Sequence, residues 1–198
     1  MDIKRAFIDT ETTGLNWDSG IHQLALIVDI NGVVELEKTW EICPDAKCRI
    51  DDKALAVSGK SLEVMQRSQP EIEFFREFTN TLGQFVSKYN KTDKFHFTAY
   101  NAKFDDDRLR DLFRRRGDNY YGSYMWNPVD CLMIRAGQHL RSIRHQMLDF
   151  KLGTVCTAMG LIWDNAEAHD ALYDIRMTRE LHLALEGKPP TSVAQYGN

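Results

Sequence analysis

The stretch Gln23-Leu24-Ala25-Leu26-Ile27-Val28-Asp29-Ile30-Asn31-Gly32-Val33-Val34-Glu35-Leu36 decides the fold class. Residues 23–30 are apolar enough for a buried strand, and Asn31-Gly32 is the pair that a two-residue hairpin turn demands, because both positions need positive φ. The chain therefore turns back on itself at Asn31. Upstream, residues 3–8 read as a short strand that ends by delivering Asp9, and Gly14 closes the segment in a turn. Three consecutive strands predict an antiparallel meander.

Downstream the pattern changes period. Residues 44–70 are mixed and turn-rich, and Pro70-Glu71 then opens a helix whose Ile72, Phe75, Phe78, Leu82, Phe85 and Val86 recur at threes and fours as far as about Tyr89. Residues 95–100 alternate like a strand. From Asn101 the spacing of Phe104, Leu109, Leu112 and Phe113 predicts a helix that Gly117 stops. An aromatic loop over 120–126, a short apolar stretch over 129–134 and two helices over 151–159 and 170–185 complete the chain. A meander followed by alternating strands and helices predicts an α/β fold with a mixed sheet flanked by helices. The expected organisation is one domain over 1–186 and a tail, 187–198, that frays after Pro189-Pro190.

Composition bounds the function. With 198 residues, 43% hydrophobic and 27% charged, the chain can bury one sizeable core, which excludes disorder as its main state. No apolar run reaches the roughly eighteen residues a spanning helix needs, and the segment after Met1-Asp2-Ile3-Lys4-Arg5 is no signal peptide. We expect a soluble, cytoplasmic protein with no membrane partner. Cys43, Cys48, Cys131 and Cys156 lack paired spacing, which favours reduced thiols over zinc or a disulfide frame. The net charge of -4 is unevenly spread: residues 1–60 hold 7 basic and 11 acidic groups, residues 108–151 hold 9 and 4. An acidic site beside a basic track suits an enzyme that holds cations and a polyanion together. Arg108, Arg110, Arg114, Arg115 and Arg116, then Arg135, Arg141, Arg144 and Lys151, are the candidates for phosphate contact.

Three clusters carry the chemistry. In Asp9-Thr10-Glu11 the two acids lie at i and i+2 of a strand, share a face, and repel unless a cation lies between them. Tyr100-Asn101-Ala102-Lys103-Phe104-Asp105-Asp106-Asp107 stands where a strand gives way to a helix, and its acids also suit the positive end of a helix dipole. In His169-Asp170-Ala171-Leu172-Tyr173-Asp174 a histidine stands at the start of the last helix with an acid just over a turn beyond it, a division of labour between a proton carrier and a fixed ligand.

Taken in order, these motifs resemble the DEDDh, or DnaQ-like, 3′-5′ exonucleases, and Tyr100-Asn101, Phe104-Asp105-Asp106 and Ala168-His169-Asp170-Ala171 look most like the nuclease domain of bacterial exonuclease I. The resemblance covers about residues 5–184. It implies a ribonuclease H-like fold, two divalent cations (Mg²⁺ or Mn²⁺) on Asp9, Glu11, Asp105 and Asp174, and His169 as general base. It also implies hydrolysis from the 3′ end of nucleic acid, single-stranded DNA being the favoured substrate and RNA the alternative, and a polymerase or repair factor as the kind of partner to expect. Thr10, Thr13, Leu15, Asn101 and Phe104 become the expected substrate contacts: Leu15 and Phe104 against the terminal base, Asn101 at a phosphate or sugar, Thr13 through its backbone. Two positions depart from many relatives, Tyr100 where a histidine is usual and Gln23 where an acid is usual.

Two further readings compete. Ala54-Leu55-Ala56-Val57-Ser58-Gly59-Lys60-Ser61 resembles a phosphate-binding loop lacking its first glycine, but it follows Arg49-Ile50-Asp51-Asp52-Lys53 where such a loop requires a buried apolar strand. A catalytically idle binding module is the other. Clustered acids argue against it, since binding alone has no use for mutual repulsion.

Overall fold

The computed structural model describes residues 2–51, 53–54, 60–168 and 170–191. Its six-stranded sheet has the order β4-β3-β2-β1-β5-β6. The meander is formed by β1 (Lys4–Thr12), β2 (Ile21–Ile30) and β3 (Val33–Cys43). β1 and β2 pair antiparallel from Lys4↔Ile30 to Thr12↔Ile21, and β5 (His96–Ala99) joins the other edge of β1 in parallel. The short β4 (Gln69–Pro70) and β6 (Asp130–Cys131) extend the two ends, also in parallel. The turn between β2 and β3 has φ of 56° at Asn31 and 90° at Gly32, the mirror-image turn the dipeptide demands.

Helices cover both faces. After α1 (Leu62–Gln66), α2 (Glu71–Phe85) and α3 (Ala102–Arg115) pack on one face, with Phe74, Phe78, Leu109 and Leu112 against Ala6, Ile8, Leu24 and Leu26. The chain then passes through α4 (Tyr121–Tyr124), α5 (Leu132–His139), a single 3₁₀ turn (Arg144–Gln146) and α6 (Leu152–Ala158) to α7 (Ala171–Leu185). On the opposite face α7 sets Ala171 and Ile175 against Phe7, Ala25 and Ile27, while α5, α6 and α7 share a second core around Leu132, Val155 and Leu181.

Two boundaries differ from expectation for local reasons. β1 runs past residue 8 to Thr12, because β2 continues to hydrogen-bond beside it through Glu11 and Thr12 with a register shift between them. Such irregularities re-aim side chains at a sheet's end. α2 stops at Phe85, since Val86 is already extended, and its buried face is Phe74, Phe75, Phe78 and Leu82 while Ile72 is exposed. α3 ends as the spacing predicts, with Gly117 at φ 68° and Asp118 N–H returning to the Phe113 carbonyl.

α7 is fastened to the meander by a buried ion pair. Arg179 Nε donates to Asp29 Oδ2 at 2.9 Å, and Arg179 Nη2 donates to the Gly32 carbonyl at 3.0 Å. Their side chains are 3% and 6% exposed, so removing one partner strands the other in a dry site. Arg179→Met is expected to cost about 3–5 kcal/mol, seen as a lower urea midpoint at unchanged slope. Adding Asp29→Leu should recover much of that loss; no recovery would assign the cost to packing or to buried Glu180, 3.8 Å from the same guanidinium.

Candidate active site

The parity of β1 builds the site. Ala6 and Ile8 point toward α2 and α3, so Phe7, Asp9 and Glu11 point toward α7, and Thr10 points back toward α3. On the α7 side, ligand oxygens of Asp9, Glu11 and Asp174 all lie within 4.8 Å of one another. On the α3 side, Asp105 Oδ1 accepts from both the Thr10 backbone N–H (3.0 Å) and the Thr10 hydroxyl (2.7 Å). Two helices on opposite faces thus deliver one acid each to the same strand end.

The electrostatics follow from crowding in a dry place. Burial, then the charges of Asp105, Asp174 and Glu11, hold the Asp9 carboxyl well above its ordinary value. Burial and then Asp174 and Asp105 push Glu11 up to about 7, with Lys60 pulling the other way. Asp105 is also raised to about 7 by burial, against the lowering pull of its two Thr10 hydrogen bonds. Hard oxygen donors held together at this cost suit a divalent cation, which removes both the repulsion and the desolvation penalty. The residues present therefore fit a divalent cation of the kind that the motif resemblance implies.

The start of α7 is fixed by two devices. Asp170 caps the helix, accepting from Leu172 N–H (3.0 Å) and Tyr173 N–H (3.1 Å). Gln23 Oε1 takes the Ala171 N–H at 3.3 Å while its Nε2 donates to Glu41 at 2.8 Å, so the glutamine that replaces the more usual acid clamps helix to sheet. His169, the expected base, lies outside the described residues. So do residues 55–59 of the loop-like segment; Lys60 at its end pairs with Glu41.

Of the expected substrate contacts, Leu15 is 82% exposed, and Trp17 on the same loop is 79% exposed. Asn101 is exposed and adopts the left-handed conformation (φ 59°, ψ 43°) at the β5–α3 junction, a strained geometry for a residue with a side chain. Phe104 is half-buried under the Arg108 guanidinium, 5.1 Å from its centroid. Two contacts are placed differently. Thr10 is buried and its hydroxyl and N–H serve Asp105. Thr13 is buried too, its N–H bonded to the Gly20 carbonyl and its own carbonyl to Asp51 N–H. Thr10→Val, which keeps the N–H but loses the hydroxyl, is expected to cut turnover or metal affinity about 10–100-fold. A titration of rate against Mg²⁺ checks it, and an unchanged curve would remove the hydroxyl from the site.

A cleft of about 1010 Å³ runs beside the acids, lined by Tyr100, Asn101, Phe150, Trp163 and Asp174 among others. Tyr100 donates its hydroxyl to the Phe150 carbonyl at 2.5 Å, so it braces the cleft wall. The basic track takes a different form from the one the charge count suggests. Arg115 and Arg116 both bind buried Glu71, Arg110 binds Asp106, Arg114 binds Asp111, and Arg135 binds Asp130. Arg144 lies over the Phe150 ring at 4.6 Å, and Lys151 lines the cleft. The four cysteines are free thiols, and no helix among the described residues is long and apolar enough to cross a membrane.

No family model matches the chain. Its sequence is similar to proteins named ribonuclease T, at 28% identity in Buchnera aphidicola (88% of this chain, 79% of the relative) and 29% in Shewanella denitrificans (88% and 76%). Its structure matches E. coli exonuclease I in complex with a dT13 oligonucleotide, with TM-score 0.72, 22% identity, and 93% of this chain on 40% of that one. The product-bound structure of exonuclease I matches similarly, at TM-score 0.72 and 19% identity over 95% and 44%. The chain thus spans about two fifths of the length of exonuclease I. With its antiparallel β1-β2-β3 meander, added parallel strands and flanking helices, the chain has a ribonuclease H-like fold, matching exonuclease I in structure and ribonuclease T distantly in sequence.

Proposed function

We propose that this chain is a metal-dependent 3′-5′ exonuclease that releases nucleoside 5′-monophosphates from a single strand. The observation that carries the reading is the meeting of Asp9, Glu11 and Asp174 within 4.8 Å, with Asp105 held behind the same strand by Thr10. Homology to ribonuclease T and the likeness to exonuclease I support it. Asp9, Glu11, Asp105 and Asp174 would hold the two Mg²⁺ or Mn²⁺ ions, which when bound supply an acidified water and neutralise charge on the leaving 3′ oxygen. The chain's own groups do the rest. Asp170 and Gln23 fix the start of α7, so that Asp174 meets Asp9. His169, next in sequence to Asp170, is the base in this reading, since an imidazole with an ordinary pKa near 6.5 accepts the water's proton at working pH. Leu15, Phe104 and Asn101 bind the terminal nucleotide.

Single-stranded DNA is the favoured substrate, from the match to exonuclease I holding dT13. Similarity to ribonuclease T favours a second reading, RNA 3′ ends. The test is a time course with Mg²⁺ or Mn²⁺ on 5′-labelled DNA and RNA of one sequence, with EDTA and Asp9→Ala controls. A ladder shortening from the 3′ end, lost in both controls, is the expected result, and the faster strand identifies the sugar. Binding without shortening of either strand would turn the reading to the idle module.

A further inference from the structure

Arg108 was placed by sequence among the phosphate-binding arginines, and it is a different kind of residue. It is 7% exposed, on the turn of α3 that follows Phe104 and Asp105. Its Nη1 donates to the Asn16 carbonyl at 2.5 Å and its Nη2 to the Leu15 carbonyl at 3.2 Å, across more than ninety residues of sequence. The flat face of the same guanidinium covers the Phe104 ring at 5.1 Å. One planar group therefore touches both the loop that carries exposed Leu15 and Trp17 and the helix that carries Phe104.

This loop has cause to need such a tie. Its stem is closed by Thr13 N–H donating to the Gly20 carbonyl, by Gly20 N–H donating to the Thr13 hydroxyl, and by Arg49 N–H to the Asp18 carbonyl. Its tip, by contrast, presents two large apolar side chains to solvent, and it gains no packing from them. The Asn16 carbonyl also accepts the Ser19 N–H at 3.1 Å within the loop, and Arg108 adds the link from that tip to α3. A five-donor fork with fixed geometry is suited to hold two successive carbonyls in one orientation, which a single-point ammonium is not.

We propose that Arg108 is a positioning residue for the 3′-terminal nucleotide: it locks the Leu15–Trp17 tip against the Phe104 face, so that the two apolar surfaces form one preset slot for a nucleobase. The proposal rests on the exonuclease reading for the identity of the ligand. It concerns binding geometry: Asp105 is oriented by Thr10, and the positive charge of Arg108, which exerts a smaller lowering pull on the Asp105 carboxyl, is kept in Arg108→Lys. A slot set before binding spares the cost of ordering the loop in the complex.

The experiment compares wild type, Arg108→Met, Arg108→Lys, Leu15→Ala and the Leu15→Ala/Arg108→Met double variant. Binding of a short 5′-fluorescein single strand is measured by anisotropy with Ca²⁺ replacing Mg²⁺, and steady-state cleavage is measured with Mg²⁺. Arg108→Met is expected to weaken binding and raise KM about tenfold, the loss falling on KM rather than kcat, with Arg108→Lys in between. In the Leu15→Ala background, where the slot has lost one wall, the same change should do much less. Leu15 is exposed, so that variant keeps its fold whatever Arg108→Met does to stability. Equal effects in both backgrounds, unchanged binding, or a fall in kcat alone would overturn the proposal. Wild-type protein that binds the strand without cutting it would count against the exonuclease reading, while the binding series still decides the role of Arg108.

Discussion

Asp9→Asn is expected to reduce hydrolysis by at least roughly 1000-fold, since a cation held in this place contributes several kcal/mol to stabilising the transition state and each 1.36 kcal/mol is a factor of ten. The same substitution should stabilise the protein when no divalent ion is present. Asp9 is the acid on which burial and the charges of Asp105, Asp174 and Glu11 all converge, so it suffers most from ionising in the folded state. An amide of equal size keeps the packing against α7 and removes the charge. The pair of measurements is turnover with Mg²⁺ and melting temperature in EDTA. Retained turnover would remove Asp9 from the mechanism, and a lower melting temperature in EDTA would show that its charge has a structural partner.

Divalent metal at a hundredfold excess over its Kd at pH 8 is expected to raise the melting temperature by about 5–10 °C, and the same metal concentration should give a smaller gain at pH 5. The sign follows from the direction of the pKa shifts. Glu11 and Asp105 rise from ordinary values of 4.5 and 3.8 to about 7 in the folded state. A folded-state pKa raised this way contributes stability below the unfolded value, and the contribution is lost as pH climbs through the folded one. Metal-free protein should therefore lose stability between about pH 4 and 7, by on the order of 3 kcal/mol for a shift the size of that of Glu11. Below that window protons occupy the carboxylates and compete with the cation; above it only the cation can offset their repulsion. Differential scanning fluorimetry across pH, with Mg²⁺ or EDTA, tests this. A metal gain that is equal at both pH values would mean that these acids are not the binding site.

Much of the fold was legible in the sequence because it depends on near neighbours. Asn31-Gly32 required its turn whatever lay around it, the apolar run of β2 could only be buried, and the spacing in α3 marked its inward face. The period of a strand likewise told that Asp9 and Glu11 share a side. Where a choice depended on a partner far along the chain, sequence pattern was silent or misleading. Ile72 matched the helical period of α2 as well as Phe74 did, but the sheet lies under Phe74. Nothing in a count of arginines tells that Glu71 awaits Arg115 and Arg116, or that Arg108 reaches the carbonyls of a loop more than ninety residues away.

The site divides along the same line. The sequence by itself determined the types of group available, hard carboxylate donors at a strand end and at two helix starts, because side-chain chemistry and strand parity are local properties. Only the tertiary structure decided their geometry. It sent Asp174 to one face of β1 and Asp105 to the other, assigned Thr10 to hold Asp105, made Tyr100 a brace for the cleft wall, and gave Gln23 the first amide of α7. The physical reason is that a hydrogen bond or a pKa shift belongs to a pair of groups and to the water excluded around them, and folding chooses both the pair and the dryness.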